Sequence, residues 1–314
     1  MMKHTFTAIA LVTLANLGTT SAFAQAVPDI DDAINRSTSI DESLRGQERT
    51  TPRFDGDEDG EIAGEAGIFV LSKNEIFYIG AAVGTGWAEN PLRTADDVGD
   101  SFYANAAFTA GLQTKIAEAF DFGLAATVSG TEYDAAFAPS SRTLNVSTNL
   151  GSPIKGTPLY VGGGIYGGFS YDGNFERGTG FYGANVALSA GGPIGPKTLA
   201  RASLSAVRSG NEISDNDAWS GNFDIAITQI VAPKVTIGAQ TRLSYFVYDD
   251  FFEDVTFVER QDWQIGGNVN ANWSPLDWLS VSVSAGYQKR DSRFFLSDYD
   301  GFETALTIAA RKRF

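Results

Sequence analysis

Three groups of residues in this chain could carry chemistry, and each would need a different setting. Asp55-Gly56-Asp57-Glu58-Asp59-Gly60, with Ile62 two places on, matches the first eight positions of a calcium-binding loop of the EF-hand type. There alternating carboxylates supply hard oxygen ligands and the glycine permits a sharp turn. The bidentate glutamate that completes such a loop is missing: Ala66 stands at its position, and Glu65 comes one residue early. A Ca2+ site on Asp55, Asp57 and Asp59 is therefore the lesser reading, a solvated acidic linker the greater, and no other cofactor is expected. Gly162, Gly164 and Gly167, in the stretch VGGGIYGGF, satisfy G-x-G-x-x-G, which holds a dinucleotide only where a strand turns into a helix. Nothing helical follows, so these glycines read as strand positions that leave a wall bare or let it bend. Asp224, Asp262 and Glu303 could supply a carboxylate pair for acid–base work. Asp224, however, lies diagonally across an expected hairpin from Arg242, and an ion pair lining a structure is the plainer account of it.

The setting is announced at the start of the chain. Lys3 gives a positive n-region, residues 6–17 an apolar stretch, and Ala22-Phe23-Ala24 a small-x-small cleavage site, so residues 1–24 are expected to be a secretory signal peptide. Cleavage there leaves 22 basic against 38 acidic residues and removes His4, the only histidine. The chain has no cysteine, so an exported fold must be held without disulfides. Thirty-four glycines and an aromatic share of 12% fit neither a disordered chain nor a helical membrane protein. No uncharged apolar run after residue 24 reaches the roughly 18 residues that a transmembrane helix needs, so a closed β-barrel is the remaining way across a bilayer.

Charge divides the chain beyond the leader. Asp29 to Glu65 contains 12 acidic and 4 basic residues with no sustained period, and residues 25–68 are expected to be a flexible acidic segment. From about Phe69 onward, apolar and small polar residues alternate with the period of strands that bury one face. Val235, Ile237, Ala239, Thr241 and Leu243 oppose Thr236, Gly238, Gln240, Arg242 and Ser244; Trp263, Ile265, Val269 and Trp273 oppose Asp262, Gln264, Asn268, Asn270 and Asn272. A β-sandwich would also alternate, so the period alone does not say which face is wet.

Strand length, connection length and aromatic placement decide it. The pattern predicts twelve strands near 75–88, 101–115, 121–133, 142–151, 158–172, 179–191, 197–208, 218–229, 234–248, 260–273, 277–290 and 301–314. Most exceed the five or six residues usual in soluble sheets. Short connections alternate with mostly longer ones, 173–178 being the short exception. Phe77, Phe120, Phe122, Tyr160, Trp273, Trp278 and Phe314 flank the short-turn side; Trp87, Phe102, Tyr171, Tyr182, Trp219, Trp263, Tyr287 and Phe302 flank the loop side. Both features suit a transmembrane, antiparallel, up-and-down all-β barrel with two aromatic girdles.

At its end the chain resembles bacterial outer-membrane β-barrels. It stops on Phe314, and Phe302, Thr304, Leu306, Ile308 and Ala310 alternate outward, like the terminal strand such proteins present to their assembly machinery. Lys312 departs from that pattern. The likeness covers about residues 70–314 and implies an architecture in the outer membrane, in contact with its lipid and lipopolysaccharide, with no nucleic-acid partner. Hydrolytic members such as the phospholipase and omptin protease families use a histidine, which this chain loses with its leader, so catalysis is not expected.

With apolar faces outward, the lumen candidates are Arg201, Asp224, Arg242, Asp262, Asn268, Asn270, Glu303, Arg311 and Arg313 among many glycines, serines and threonines. Side chains this small do not fill a twelve-strand barrel. The expectation is a narrow porin-like channel for small polar solutes, weakly cation-preferring because of its acidic loops. The alternative is a blocked barrel serving as an envelope anchor, with residues 25–68 docking a periplasmic or cell-wall partner.

Overall fold

The computed structural model describes residues 76–91, 99–116, 120–135, 138, 140–172, 175, 178–212, 217–249, 260–276, 278–293 and 298–314. The expected leader, the acidic segment and Asp55, Asp57 and Asp59 lie outside them. Twelve strands follow one another: β1 (Phe77–Glu89), β2 (Asp100–Ile116), β3 (Phe120–Tyr133), β4 (Ser141–Pro153), β5 (Leu159–Asp172), β6 (Gly178–Gly195), β7 (Thr198–Asn211), β8 (Ala218–Ala232), β9 (Val235–Tyr248), β10 (Gln261–Leu276), β11 (Leu279–Ser292) and β12 (Tyr299–Arg313). Each pairs antiparallel with its neighbours in sequence, and β12 pairs with β1, from Tyr78↔Arg313 to Ala88↔Glu303. The sheet is thereby closed and has no edge.

The strands lean steeply. A line drawn across the hydrogen bonds from Tyr160, at the start of β5, runs through Ser189, Ser203, Asp224, Arg242, Gly266 and Gln288 to Gly301. It begins at the short-turn end and finishes at the loop end, which is the stagger a closed barrel requires. Strands of 13 to 18 residues are long enough to cross a bilayer at such a tilt.

Alternation fixes the two faces as the sequence predicts. Val83 is 57% exposed, Ile237 48% and Val283 55%, whereas their neighbours Ala82 and Thr236 are buried and Ser282 and Ser284 part-buried. Bulky apolar side chains cover the outside of every strand, while the only apolar cluster within, among the described residues, is three alanines, Ala82, Ala107 and Ala309, on adjoining strands. An outward apolar surface of this extent is unsustainable in water and fits hydrocarbon.

Three strands overrun their expected ends at the short turns by three or four residues. β6 continues to Gly195, β8 to Ala232 and β10 to Leu276, and in each the register shifts by an extra residue close to the short turn. Pro193 and Pro275 sit within two of these shifts, where a strand tolerates a residue that cannot donate. The strands carry on through these prolines as bulges. The tight turn between β8 and β9 places Lys234 at a φ of 65°, and that between β4 and β5 uses Gly156 at 82°.

Candidate functional site

The lumen is the concave surface of this molecule, and its wall is built from pairs of residues on adjoining strands. Gly84 of β1 faces Asn105 of β2, Gly123 of β3 faces Asn149 of β4, and Gly238 of β9 faces Asn270 of β10. In each pair the amide lies over the glycine closely enough that a Cβ there would strike it. Tyrosines do the same: Tyr166 covers Gly183, and Tyr78 covers Gly111, whose added Cβ would come within 2.6 Å of the ring. The glycines therefore do not leave the wall bare, as their sequence suggests. They make room for a neighbour's side chain to lie flat, which widens the lumen while covering the backbone. Gly164, placed between Asn149 and Asn185, differs in that an added Cβ would strike the Thr148 carbonyl, and it carries no strand-to-helix turn.

Charged candidates fall on the lumen side at three heights. Asp224 and Arg242 stand directly opposite each other, not diagonally, and Arg242 Nε donates to Asp224 Oδ1 at 2.5 Å. Their side chains are 16% and 28% exposed, so water reaches the pair. Arg201 faces Gly191 and Ala226, and Asn268 faces Gln240 and Gly286 on the same face. Glu303 accepts from the Tyr103 hydroxyl at 2.6 Å. Toward the short-turn end, Arg311 stacks 4.1 Å from the Tyr78 ring centre and Arg313 donates to Gln113 Oε1 at 2.9 Å.

The remaining acidic candidate belongs to a cluster that sequence reasoning missed. Asp262 is fully buried and accepts from Arg260 Nη2 at 2.7 Å and Nε at 3.0 Å, and from the Ser292 hydroxyl. Arg260 lies 4.2 Å from the Tyr248 ring centre. Arg290 donates to Gln264 at 2.8 Å and packs between Phe246 and Tyr299, with Nη1 3.9 Å from Asp262. Two arginines, one carboxylate and three aromatic rings thus fill the lumen wall at the loop end of β9 to β12. Strand parity carries the signal for Phe246 and Arg290, which share the even-numbered faces of Ser244 and Ser284. Their positions at strand ends, and the aromatic type, point the other way.

Tyr160 also departs from expectation. It is buried in the lumen, where its hydroxyl donates to Asp121 Oδ2 at 3.2 Å, and it takes no part in the girdle. On the loop side the girdle's polar tips are fastened: Trp87 donates to Asp100 at 3.1 Å, Tyr182 to Asp217 at 3.2 Å and Tyr287 to Asp300 at 2.8 Å. Phe314 closes the barrel, its backbone exchanging hydrogen bonds of 2.8 and 3.2 Å with Phe77. Among the described residues no three potential ligands come together to hold a metal ion.

No protein-family model matches the sequence, and no curated protein is similar to it. Solved structures are similar in fold. An outer-membrane channel from Pseudomonas putida F1 shares 10% identity over 77% of this chain and 97% of its own, with a TM-score of 0.54. The NanC porin matches at 10% identity and 0.42, over 73% and 98% of the two chains. The β-domain of the Bordetella autotransporter BrkA matches at 11% and 0.42, over 74% and 99%. The first likeness, with strand order, closure and the apolar exterior, shows this chain to have the fold of an outer-membrane β-barrel protein.

Proposed function

We propose that the barrel is a narrow channel for small polar solutes, with no catalytic role. The observation that carries this reading is the accessible lumen wall: Asn270 is exposed on the lumen side, and Asn268, Asn272 and Gln240 beside it are only part-buried. The acidic side chains of the loop end, such as Asp100, Asp217, Asp291 and Asp300, add a weak cation preference at the outer mouth. The test is planar-bilayer conductance of the refolded protein with and without residues 25–68. Steps of a single size that survive the deletion support the channel, and silence in both forms refutes it.

One observation favours a blocked anchor instead. The packed Arg260–Asp262–Arg290 cluster narrows the loop end on one side. Conductance that appears only after residues 25–68 are removed would select that reading.

A further inference from the structure

The short-turn end of the barrel is basic in a regular way. Four of its five turns are flanked by a lysine: Lys115 at the end of β2, Lys155 between β4 and β5, Lys197 between β6 and β7, and Lys234 between β8 and β9. The last strand adds Lys312 and Arg313. Lys155, Lys197 and Lys312 are exposed. Lys234 is pinned to the rim by donating to the Pro275 carbonyl at 3.0 Å. The described acid at this end, Asp121, is buried below the rim, 3.7 Å from Lys115. In sequence Glu75, Glu118, Asp277 and the terminal carboxylate of Phe314 oppose these cations.

The chain enters the barrel at this same rim. β1 starts at Phe77, and Ile76 is already held there, its carbonyl accepting from the Gln113 backbone at 2.8 Å. Eleven residues before Ile76 ends the densest acidic run of the sequence, residues 55–65, with Asp55, Asp57, Glu58, Asp59, Glu61 and Glu65 and no base. Eleven extended residues span up to roughly 40 Å. Twelve tilted strands spaced about 4.8 Å apart make a barrel roughly 25 Å across, so the run reaches any point of the rim.

We propose that residues 55–65 dock on the ring of lysines around the turn-end mouth of the same molecule. Tethering supplies an effective concentration in the millimolar range, so contacts that are individually weak are occupied together. The run binds outside the lumen, where both partners stay hydrated, and not as a plug in the pore. Because every contact is a screened surface charge pair, docking loosens as salt rises. The carboxylates that resemble an incomplete calcium loop thereby gain a basic partner within the chain.

The experiment is zero-length carbodiimide cross-linking of the full chain, refolded in a zwitterionic detergent, with the linked peptides read by mass spectrometry. The expected result is links from residues 55–65 to Lys155, Lys197 and Lys312 at about 20 mM salt that fall at least about fivefold at about 0.5 M. In the Lys155→Glu, Lys197→Glu, Lys312→Glu variant the links to the rim lysines that remain, Lys115 and Lys234, should fall as well, while gel heat-modifiability, which reports the intact barrel, is kept. Lys155→Arg in the wild-type background retains the docking charge and serves as a control, read by the links that remain to Lys197 and Lys312. Absence of links at low salt overturns the proposal, as do links to Lys115 and Lys234 that are undiminished in the triple variant. Loss of the links in vesicles containing phosphatidylglycerol, but not in phosphatidylcholine alone, would also overturn it, by showing that lipid phosphate is the rim's occupant.

Discussion

At the scale of single residues, two carboxylates that look alike in sequence do different work. Asp262 neutralises Arg260 and Arg290 where water does not reach, and removing it leaves buried cations uncompensated. Asp262→Ala should therefore cost about 3–5 kcal/mol in urea unfolding from vesicles. Asp224 is partly wet, and Asp224→Ala should cost about 1 kcal/mol or less while shifting ion selectivity toward anions, because a negative charge is removed from the lumen wall beside Arg242. Equal losses of stability would refute the distinction. Glycines divide the same way. Gly183→Val should push the Tyr166 ring into the lumen and lower single-channel conductance, whereas Gly221, with open space around a new Cβ, should accept valine with conductance unchanged. Asp224 and Arg242 were legible because both sit mid-strand on the polar parity. The glycine covers were not, since which asparagine lies over which glycine depends on the register between strands, and no single strand records it.

At the scale of the element, the alternation that predicts each strand also predicts what it can tolerate. Val283→Arg puts a charge toward hydrocarbon and should cost about 2–4 kcal/mol if near the midplane, while Ser282→Arg, on the opposite face, should leave stability nearly unchanged and alter conductance. Matching unfolding curves for the two variants would mean the faces are misassigned. All twelve strands and their order were readable because each has a long, one-sided period. Their ends were less so. Pro193 and Pro275 resemble punctuation, but a bulge absorbs the missing donor and the strand carries on. Tyr160 failed for a related reason: an aromatic residue near a turn fits a girdle by type, and only its parity with Gly162 and Gly164 says that it points inward.

At the scale of the whole molecule, charge is sorted along the barrel axis. The loop end carries acids such as Asp100, Asp217, Asp249 and Asp300, the turn end carries lysines, and the lumen wall adds Arg201 and Arg242 between them and Arg260 and Arg290 at the loop end. Exposed rim charges are screened over about 10 Å at 0.1 M salt and about 3 Å at 1 M, whereas charges within the wall are screened much less. Reversal potentials across a salt gradient should show a weak cation preference at low ionic strength that declines as salt is raised. Anion preference at low salt would show that the wall, and not the mouth, governs entry.

The closing pair of strands has a consequence for how long the protein lasts. β1 and β12 meet along eleven paired positions, from Tyr78↔Arg313 to Ala88↔Glu303, although more than two hundred residues separate them in the chain. None of these pairs exists until the C-terminus has been made, so the last strand is the committing step of assembly. Once zipped, no strand can peel away singly, because each is flanked on both sides. Opening the cylinder means parting a whole ladder inside lipid, where freed backbone groups find no water. Persistence is then set by the height of an activation barrier and not by the folding equilibrium alone, and the half-life of the native form becomes the quantity that measures its durability.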